Sequence, residues 1–540
     1  MTQFINTKET LVTEAIDGLL KSAGGTLCRL DGYPHIKVVC RSGWDKSRVA
    51  LISGGGSGHE PAHAGFVGAG MLTAAVCGEV FASPSVDAVL AGILAVTGEA
   101  GCLLIVKNYT GDRLNFGLAA ERARAFGLKV SMVVVDDDIA LPDLPQARGV
   151  AGTLLVHKIA GALAEDGADL DSVTSAAAET VKNLASIGMS LDTCTIPGSV
   201  KEDRIAHGMA EMGLGIHGEA GVEQVVFDTA RSAMGMVVQK LQSHLTSPSV
   251  ALLNNLGSTT PLEMSILTEE LFRADTAGHI ELVVGPAQMM TSLDMHGFSV
   301  TVLPVNPAHR ALLTRPVPMP AWPGTMPVAP AEVWPLPDGL SPIKPIPSMN
   351  APVRDVIEKC CALLIASEEA LNVLDAKSGD GDTGSTLATA ARALDGALDR
   401  MPLADLTQLF RAIGNELSQT MGGSSGVILA IFFGATGDAC ANGQATAEAL
   451  QSGLARISQV GGAVRGDRTM IDALEPALEA LPQGIAQAAR AARAGADATA
   501  GIGRAKAGRA SYVPEQNLIG HNDPGAEAVA LLFEGLADAL

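Results

Sequence analysis

RPVPMPAWPGTMPVAPAEVWPLPDGLSPIKPIPSMNAP, residues 315–352, holds twelve of the chain's 28 prolines. Proline lacks an amide hydrogen and fixes φ, so this stretch can continue neither a helix nor a central strand; it reads as an extended, semi-rigid linker. The hydrophobic pattern differs on its two sides, and that contrast decides the fold. Upstream, short apolar runs alternate with helical stretches such as Phe116–Phe126: Val49–Ser53, Cys102–Lys107, Val130–Val135, Val250–Asn254 and Glu281–Gly285. Turn residues follow most of these runs, which predicts parallel α/β layers. The region is large for one sheet, and Ile187-Gly-Met-Ser and Thr195-Ile-Pro-Gly interrupt the helical pattern, so two lobes are expected. Downstream, Val353–Leu374, Leu403–Met421, Ser425–Cys440, Thr446–Val460, Thr469–Leu481 and Gly484–Arg504 read as helices rich in Ala and Leu. The expected organisation is an α/β lobe over 1–190, a second over 191–325, a linker over 326–350 and an all-α domain over 351–540.

Three aspartates fall within eight positions of Asp375-Ala-Lys-Ser-Gly-Asp380-Gly-Asp382-Thr-Gly-Ser-Thr386, between the first downstream helix and one starting near Ser385. Carboxylates this close repel one another unless a cation sits between them, and the glycines let the backbone fold tightly. An EF-hand counted from Asp380 meets Ala391 where a bidentate Glu is needed, and one counted from Asp375 meets Lys377 at its third position. Hard oxygen ligands with hydroxyls beside them suit Mg²⁺ shared with phosphates, which points to phosphoryl transfer. A solvated structural turn is the competing reading.

At 540 residues with 47 % hydrophobic content, the chain has room for two to four domains with substantial cores. A net charge of −21 argues against nucleic acid or an anionic membrane as partner, since those need clustered Lys and Arg. Small molecules fit better. The N-terminus has no basic region followed by an apolar core, and no stretch offers ~20 uninterrupted apolar residues. Eight cysteines without a CxxC pair read as buried thiols. A soluble chain in a reducing cytoplasm is expected.

In the N-terminal half, the run Val49–Ser53 leads into Gly54-Gly-Gly-Ser-Gly-His59-Glu-Pro. Glycines at a strand end let a ligand approach the backbone, and open α/β sheets bind ligands at the carboxyl ends of their strands. The run lacks both the Gly-Lys-Ser/Thr of a P-loop and the GxGxxG of a dinucleotide site. The run Cys102–Lys107 continues into Asn-Tyr-Thr-Gly-Asp112-Arg, which puts Lys107 and Asp112 at the same sheet edge if the strands are parallel neighbours. Asp112 could accept a proton from a substrate hydroxyl, or it could cap a turn paired with Arg113. His217, in Gly213-Leu-Gly-Ile-His-Gly-Glu219, has glycines on both sides that leave its imidazole little steric cover. A lone histidine is otherwise more often structural than reactive.

SGGGSGHEPAHAGFVGAGMLTAAVCGEVFASPSVDA (53–88), VKNYTGDRLNFGLAAE (106–121) and GLGIHGE (213–219) resemble the substrate-binding half of dihydroxyacetone kinases. DAKSGDGDTGST (375–386), MGGSSG (421–426), GDRTMID (466–472), KAGRASY (506–512) and HNDPGA (521–526) resemble their nucleotide-binding half. Order and spacing are similar to the fused, ATP-dependent, single-chain form over nearly the whole chain.

That resemblance implies two α/β lobes followed by an eight-helix barrel, and a homodimer in which the nucleotide domain of one chain serves the substrate domain of the other. It implies that His217 adds to the ketone carbonyl as a reversible hemiaminal, which excludes polyols such as glycerol by chemistry rather than by shape. His59 and Asp112 become the acid–base pair, with Gly56, Ser57, Gly58 and Lys107 lining the pocket. Asp375, Asp380 and Asp382 would hold Mg²⁺ on the ATP phosphates. Thr383, Gly384, Ser385, Thr386, Ser424, Ser425 and Gly466 would cradle phosphates and adenosine, Arg509 would neutralise charge, and Asp523, Pro524 and Gly525 would close the nucleotide pocket. Two departures flank the site: Ser258 stands where the family usually has glycine, and Ala220 where proline is common. They bear on pocket shape, so erythrulose or glyceraldehyde stays open as substrate. Some fused relatives also cleave FAD, and homologues of the substrate half can act as carbonyl-binding regulators.

Overall fold

Cys102–Lys107 and Val130–Val135 form strands over the residues their apolar runs predict; Cys102–Lys107 is buried at every position, and a run buried on both faces needs no alternation. The computed structural model describes residues 3–141, 146–213, 215–274, 278–337 and 345–539; residues 338–344 of the expected linker and Leu214 of the histidine motif lie outside them. The chain divides into two compact units, Met1–Glu332 and Val333–Leu540.

The first unit contains two sheets. One runs β1-β2-β4-β3-β5-β6, built from β1 (Leu27–Arg29), β2 (Val38–Arg41), β3 (Ala50–Ser57), β4 (Ala74–Val80), β5 (Cys102–Lys107) and β6 (Val130–Val135). From β4 through β3 and β5 to β6 all pairings are parallel, so those four strands end on the same side. Helices Val86–Val96 and Thr110–Ala125 provide the crossovers and cover one face, while Thr153–Glu165 and Leu170–Asn183 cover the other.

The second sheet corrects the expectation of parallel layers throughout. It comprises β7 (Ala185–Ser190), β8 (Met209–Met212), β9 (Glu223–Val226), β10 (Ser249–Asn255), β11 (Ile280–Gln288), β12 (Gly297–Pro304) and β13 (Thr325–Pro327), in the order β13-β11-β10-β12-β7-β8-β9. Only β10 and β11 pair in parallel. An unbroken apolar run reports burial on both faces and not strand direction, and β12 is buried along almost its whole length although antiparallel to both neighbours. β7 lies before residue 190, where the first lobe was expected to end, yet it pairs within the second sheet. The lobes also share a core: Leu51, Leu103 and Ile105 of the first sheet and Val250, Leu252 and Leu282 of the second belong to one cluster with Leu154 and Ile159. β13 makes Thr325–Pro327 of the proline-rich stretch an edge strand, where a missing amide hydrogen is tolerated.

In the second unit eight helices close a ring. Ala351–Ala366, Thr383–Ala397, Leu406–Thr420, Gly423–Ala441, Thr446–Gly461, Ile471–Ala480, Ile485–Thr499 and Pro524–Ala539 each pack against the next, and the last returns to the first. The helix expected over Val353–Leu374 is two, because the Ser367 hydroxyl donates to the Leu363 carbonyl at 2.8 Å and the chain turns there into Glu368–Asp375. Among the described residues no helix is long and apolar enough to cross a membrane. All eight cysteines are free thiols.

Candidate active site

The carboxyl ends of β3 and β5 meet where the parallel register brings Lys107, the last residue of β5, beside the glycine run. Asp112 lies in the first turn of the following helix and is buried, with its pairing to Arg113 not formed; Arg113 instead donates to the Asn108 side chain. A Cβ on Gly55 would stand 3.2 Å from Asp112 Oδ2 and 3.6 Å from Lys107 Nζ, and its φ is +146°, so this position requires glycine. Gly56 and Gly58 press against Phe81, and the Ser57 hydroxyl donates to the Gly78 carbonyl at 2.9 Å. Ser57 therefore lines this region with its side chain committed to the sheet.

His59 is fully buried, and its Nδ1–H donates to the Thr291 carbonyl at 2.8 Å. That bond leaves Nε2 as the lone-pair nitrogen, with no partner in the protein. The Leu293 amide also donates to the Gly58 carbonyl at 2.9 Å, so the segment after β11 clamps the His59 turn and both sheets build the site.

His217 sits in the connection between the antiparallel strands β8 and β9. Arg148 donates to the Gly213 carbonyl at 2.6 Å and pairs with buried Asp138, and Arg204 donates to the Gly218 carbonyl at 3.0 Å; together they hold this connection at both ends. Nδ1 of His217 is 2.9 Å from Glu219 Oε1, and its backbone amide donates to Glu219 Oε2 at 3.0 Å. The ring is not bare as its glycine neighbours suggest. Tyr109, His59 and Phe81 stand edge-on around it with centroids 4.5, 4.9 and 5.2 Å away, all three brought from distant sequence.

Burial governs the charges here. It raises the Asp112 carboxyl, against the pull of Lys107, and lowers the Lys107 ammonium, against the pull of Asp112 and Glu219. It also pushes His59 well below its usual value, helped by Lys107 and His217, so that ring is neutral. For Glu219 burial acts upward, but the hydrogen bond and charge of His217 and two backbone donors outweigh it and hold the carboxyl at about 2. A carboxylate fixed on Nδ1 leaves Nε2 of His217 as the free nitrogen.

In the helical unit, Asp375 ends the helix Glu368–Asp375 and is buried. Its Oδ2 accepts from the backbone amides of Gly381, Asp382 and Thr383 at 3.1, 3.0 and 3.1 Å, which bends the loop back onto it. One oxygen each of Asp375, Asp380 and Asp382 then lies within 4.8 Å of the others. Arg509 forms an ion pair with Asp380. The all-oxygen donor set, one ligand buried and two exposed, fits a hard divalent cation that faces an incoming anion. Thr383, Gly384, Ser385 and Thr386 form the first turn of the helix after the cluster, but the Ser385 hydroxyl accepts from Asn372 at 2.8 Å. Ser424 and Ser425 open the helix Gly423–Ala441, whose N-terminal amides favour anions. Gly466 donates to Asp472 at 2.6 Å. Asp523 is buried and caps its own helix by accepting from the Ala526 amide at 2.9 Å, and Pro524 is buried with it. Gly525 packs on Met470. The carboxyl of Asp523 therefore caps the N-terminus of the helix Pro524–Ala539.

The model of the Dak1 domain matches residues 20–321 and that of the DAK2 domain residues 377–538. Over 550 residues, 99 % of each chain, the protein is 49 % identical to the dihydroxyacetone kinase of Citrobacter freundii. It belongs to the dihydroxyacetone kinase family. The bovine triokinase/FMN cyclase is 38 % identical over 583 residues, covering 100 % of this chain and 98 % of the relative. The crystal structure of the C. freundii dihydroxyacetone kinase in complex with AMP-PNP and Mg²⁺ superimposes with a TM-score of 0.69 and 45 % identity, covering 100 % of both chains.

Sequence reading of this dihydroxyacetone kinase family member missed Glu219 as the partner of His217, although a carboxylate two residues beyond a histidine was there to be read. Thr291, Phe81, Arg148 and Arg204 carry no local signal, because each acts on the site from a separate segment.

Proposed function

We propose that the chain transfers the γ-phosphoryl group of ATP to a hydroxyl of dihydroxyacetone, with the ketone held as a hemiaminal on His217. The observation that carries this reading is the Glu219 carboxylate 2.9 Å from His217 Nδ1, which leaves Nε2 as the lone-pair nitrogen of a ring surrounded by Tyr109, His59 and Phe81. Nε2 adds to the carbonyl carbon as the π pair moves to oxygen; the Nδ1 proton passes to Glu219 and from there through solvent to the new oxygen, so Glu219 ends as carboxylate and the proton count is unchanged. Asp112 accepts the proton of the hydroxyl to be phosphorylated, and neutral His59 accepts a hydrogen bond through Nε2. That hydroxyl oxygen bonds to the γ-phosphorus as the bond to the ADP leaving group breaks. Asp375, Asp380 and Asp382 would hold Mg²⁺, which neutralises phosphate charge when bound, and Arg509 supplies a further positive charge. Glycerol has no carbonyl and is excluded before chemistry begins. Erythrulose and glyceraldehyde meet the same chemical requirement.

The test is ADP release with Mg·ATP and, in parallel, dihydroxyacetone, erythrulose, glyceraldehyde and glycerol. Turnover with the carbonyl compounds but not glycerol supports the reading; no turnover with any of them sinks it. His217→Ala should erode discrimination against glycerol while nucleotide binding survives, and Asp380→Ala should abolish turnover while ketone binding survives. The reading includes a homodimer with exchanged domains. Random dimers of Asp112→Ala, which lacks the acceptor for the hydroxyl proton, and Asp380→Ala, each inactive alone, should then recover about a quarter of wild-type activity, because only exchange reunites an intact substrate unit with an intact nucleotide unit. Full-length similarity to a triokinase/FMN cyclase favours FAD cleavage as a second activity, tested by release of a cyclic nucleotide from FAD with Mn²⁺.

A further inference from the structure

Eight buried side-chain atoms near the substrate residues have no hydrogen-bond partner in the protein: His59 Nε2, Lys107 Nζ, Tyr109 Oη, Asp112 Oδ1 and all four ring nitrogens of His63 and His157. Buried polar atoms are almost always paired, so a group of this size marks a place where solvent or a substrate completes the pairing. The chemistry above uses His59 and Asp112, and Lys107 stands beside Asp112. It leaves His63 and His157 without a role.

These two histidines are among the most enclosed polar residues of the unit, 4 % and 0 % exposed. His157 comes from the helix Thr153–Glu165, which packs on β3 and β5, and His63 follows the glycine run. Their ring centroids are 5.2 Å apart at 62°, so the two rings meet edge to face. His63 also lines a cavity of about 360 Å³, walled by Gly54, Gly55, Gly56, Cys77 and the apolar side of the helix Leu11–Ser22. Gly55 is common to both compartments: it borders this cavity, and on its other side stand Asp112 and Lys107. The glycine run is thus a wall one backbone thick between the reacting groups and the cavity.

The inference rests on the kinase reading. Each turnover frees one proton, from the substrate hydroxyl, and leaves it on Asp112, which is 3 % exposed. Asp112 must lose that proton before the next cycle. Burial and the nearby Lys107 keep His63 far below its usual value and His157 at about 3, so both rings are neutral. A neutral imidazole has one N–H and one lone pair, and can take a proton on one nitrogen while releasing one from the other. We propose that His63 and His157 conduct the proton, through bridging water, from the Asp112–Lys107 pair to the cavity behind the glycine run. Only O–H and N–H bonds change, and the net result is Asp112 returned to carboxylate with one proton delivered to solvent.

The experiment compares full-length wild type with His63→Ala, His63→Gln and His157→Gln under Mg·ATP and dihydroxyacetone, in H₂O and D₂O. Each variant should lower kcat about tenfold or more while KM for both substrates stays within about twofold, and the solvent isotope effect on kcat should rise above that of wild type. Free imidazole, small enough for the cavity, should restore much of the His63→Ala rate. Unchanged kcat, or a loss without altered isotope effect and without rescue, overturns the proposal in favour of a packing role. Should His63→Ala not fold, His63→Gln and His157→Gln carry the same isotope test. An active wild type with unresponsive variants removes this inference alone, whereas an inactive wild type removes the kinase reading and this inference with it.

Discussion

Replacing Glu219 by Gln isolates what the carboxylate does for His217. The two oxygens of Glu219 accept from His217 Nδ1–H at 2.9 Å and from its backbone amide at 3.0 Å, and glutamine can satisfy only one of these while its own NH₂ faces the other donor. The carboxyl is held at about 2 against an ordinary 4.5. That gap corresponds to about 3 kcal/mol of preference for the charged form. The side chain is 39 % exposed, so solvent screening cuts the figure roughly in half, to about 1.5 kcal/mol. Carried into the step that forms the hemiaminal, this is roughly a tenfold loss in kcat/KM for dihydroxyacetone. The assay is coupled ADP release at varied dihydroxyacetone and saturating Mg·ATP, with KM for ATP expected to stay unchanged. Because the folded-state value lies below the unfolded one, the stabilising contribution of Glu219 is complete above pH 4.5 and fades only as pH falls towards about 2. The defect of Glu219→Gln should therefore be the same from pH 6 to 9. A variant within twofold of wild type would refute the argument that this carboxylate sets the tautomer of His217.

Asp375 and Asp380 should separate in their effect on stability: Asp375→Asn weakens the three amide bonds to Oδ2 and should cost about 2–3 kcal/mol, read as a lower Tm, whereas Asp380→Asn should abolish turnover with Tm unchanged. Equal melting temperatures would show that the loop does not depend on Asp375. Burial raises the Asp523 carboxyl to about 6, with the Ala526 amide and Arg468 opposing it. Since the folded-state value exceeds the unfolded 3.8, its contribution is fully present below pH 3.8 and lost as pH rises through about 6, up to about 3 kcal/mol between pH 4 and 7. Asp523→Asn keeps an acceptor for the Ala526 amide and should flatten this slope in urea denaturation of the full chain; parallel slopes for variant and wild type would exclude Asp523 as its source.

Several features were legible in the residues alone because their physical causes are local. Proline spacing between residues 315 and 352 separates two hydrophobic periodicities, and each periodicity reports the burial of its own segment. Three carboxylates within eight positions need charge compensation whatever surrounds them, and the tight loop that gathers them is closed by amides only six to eight residues from Asp375. The expected neighbourhood of Lys107 and Asp112 also followed locally, from one parallel pairing.

Other features depended on which distant segments pack together. Strand direction in the second sheet could not be read, because a strand covered on both faces shows the same apolar run in either direction. The division near residue 190 failed to anticipate that β7 pairs with β12, more than a hundred residues later, and that both sheets share the core around Leu154. The environment of His217 is the plainest case. Its glycine neighbours predict an open ring, but Tyr109, Phe81 and His59 close around it only once β5, β4 and β3 are aligned and the segment after β11 clamps the His59 turn. Residue chemistry alone thus determined which groups could bind a cation, accept a proton or add to a carbonyl. The tertiary structure decided which of them share one low-dielectric enclosure, and so which tautomers and charges they hold.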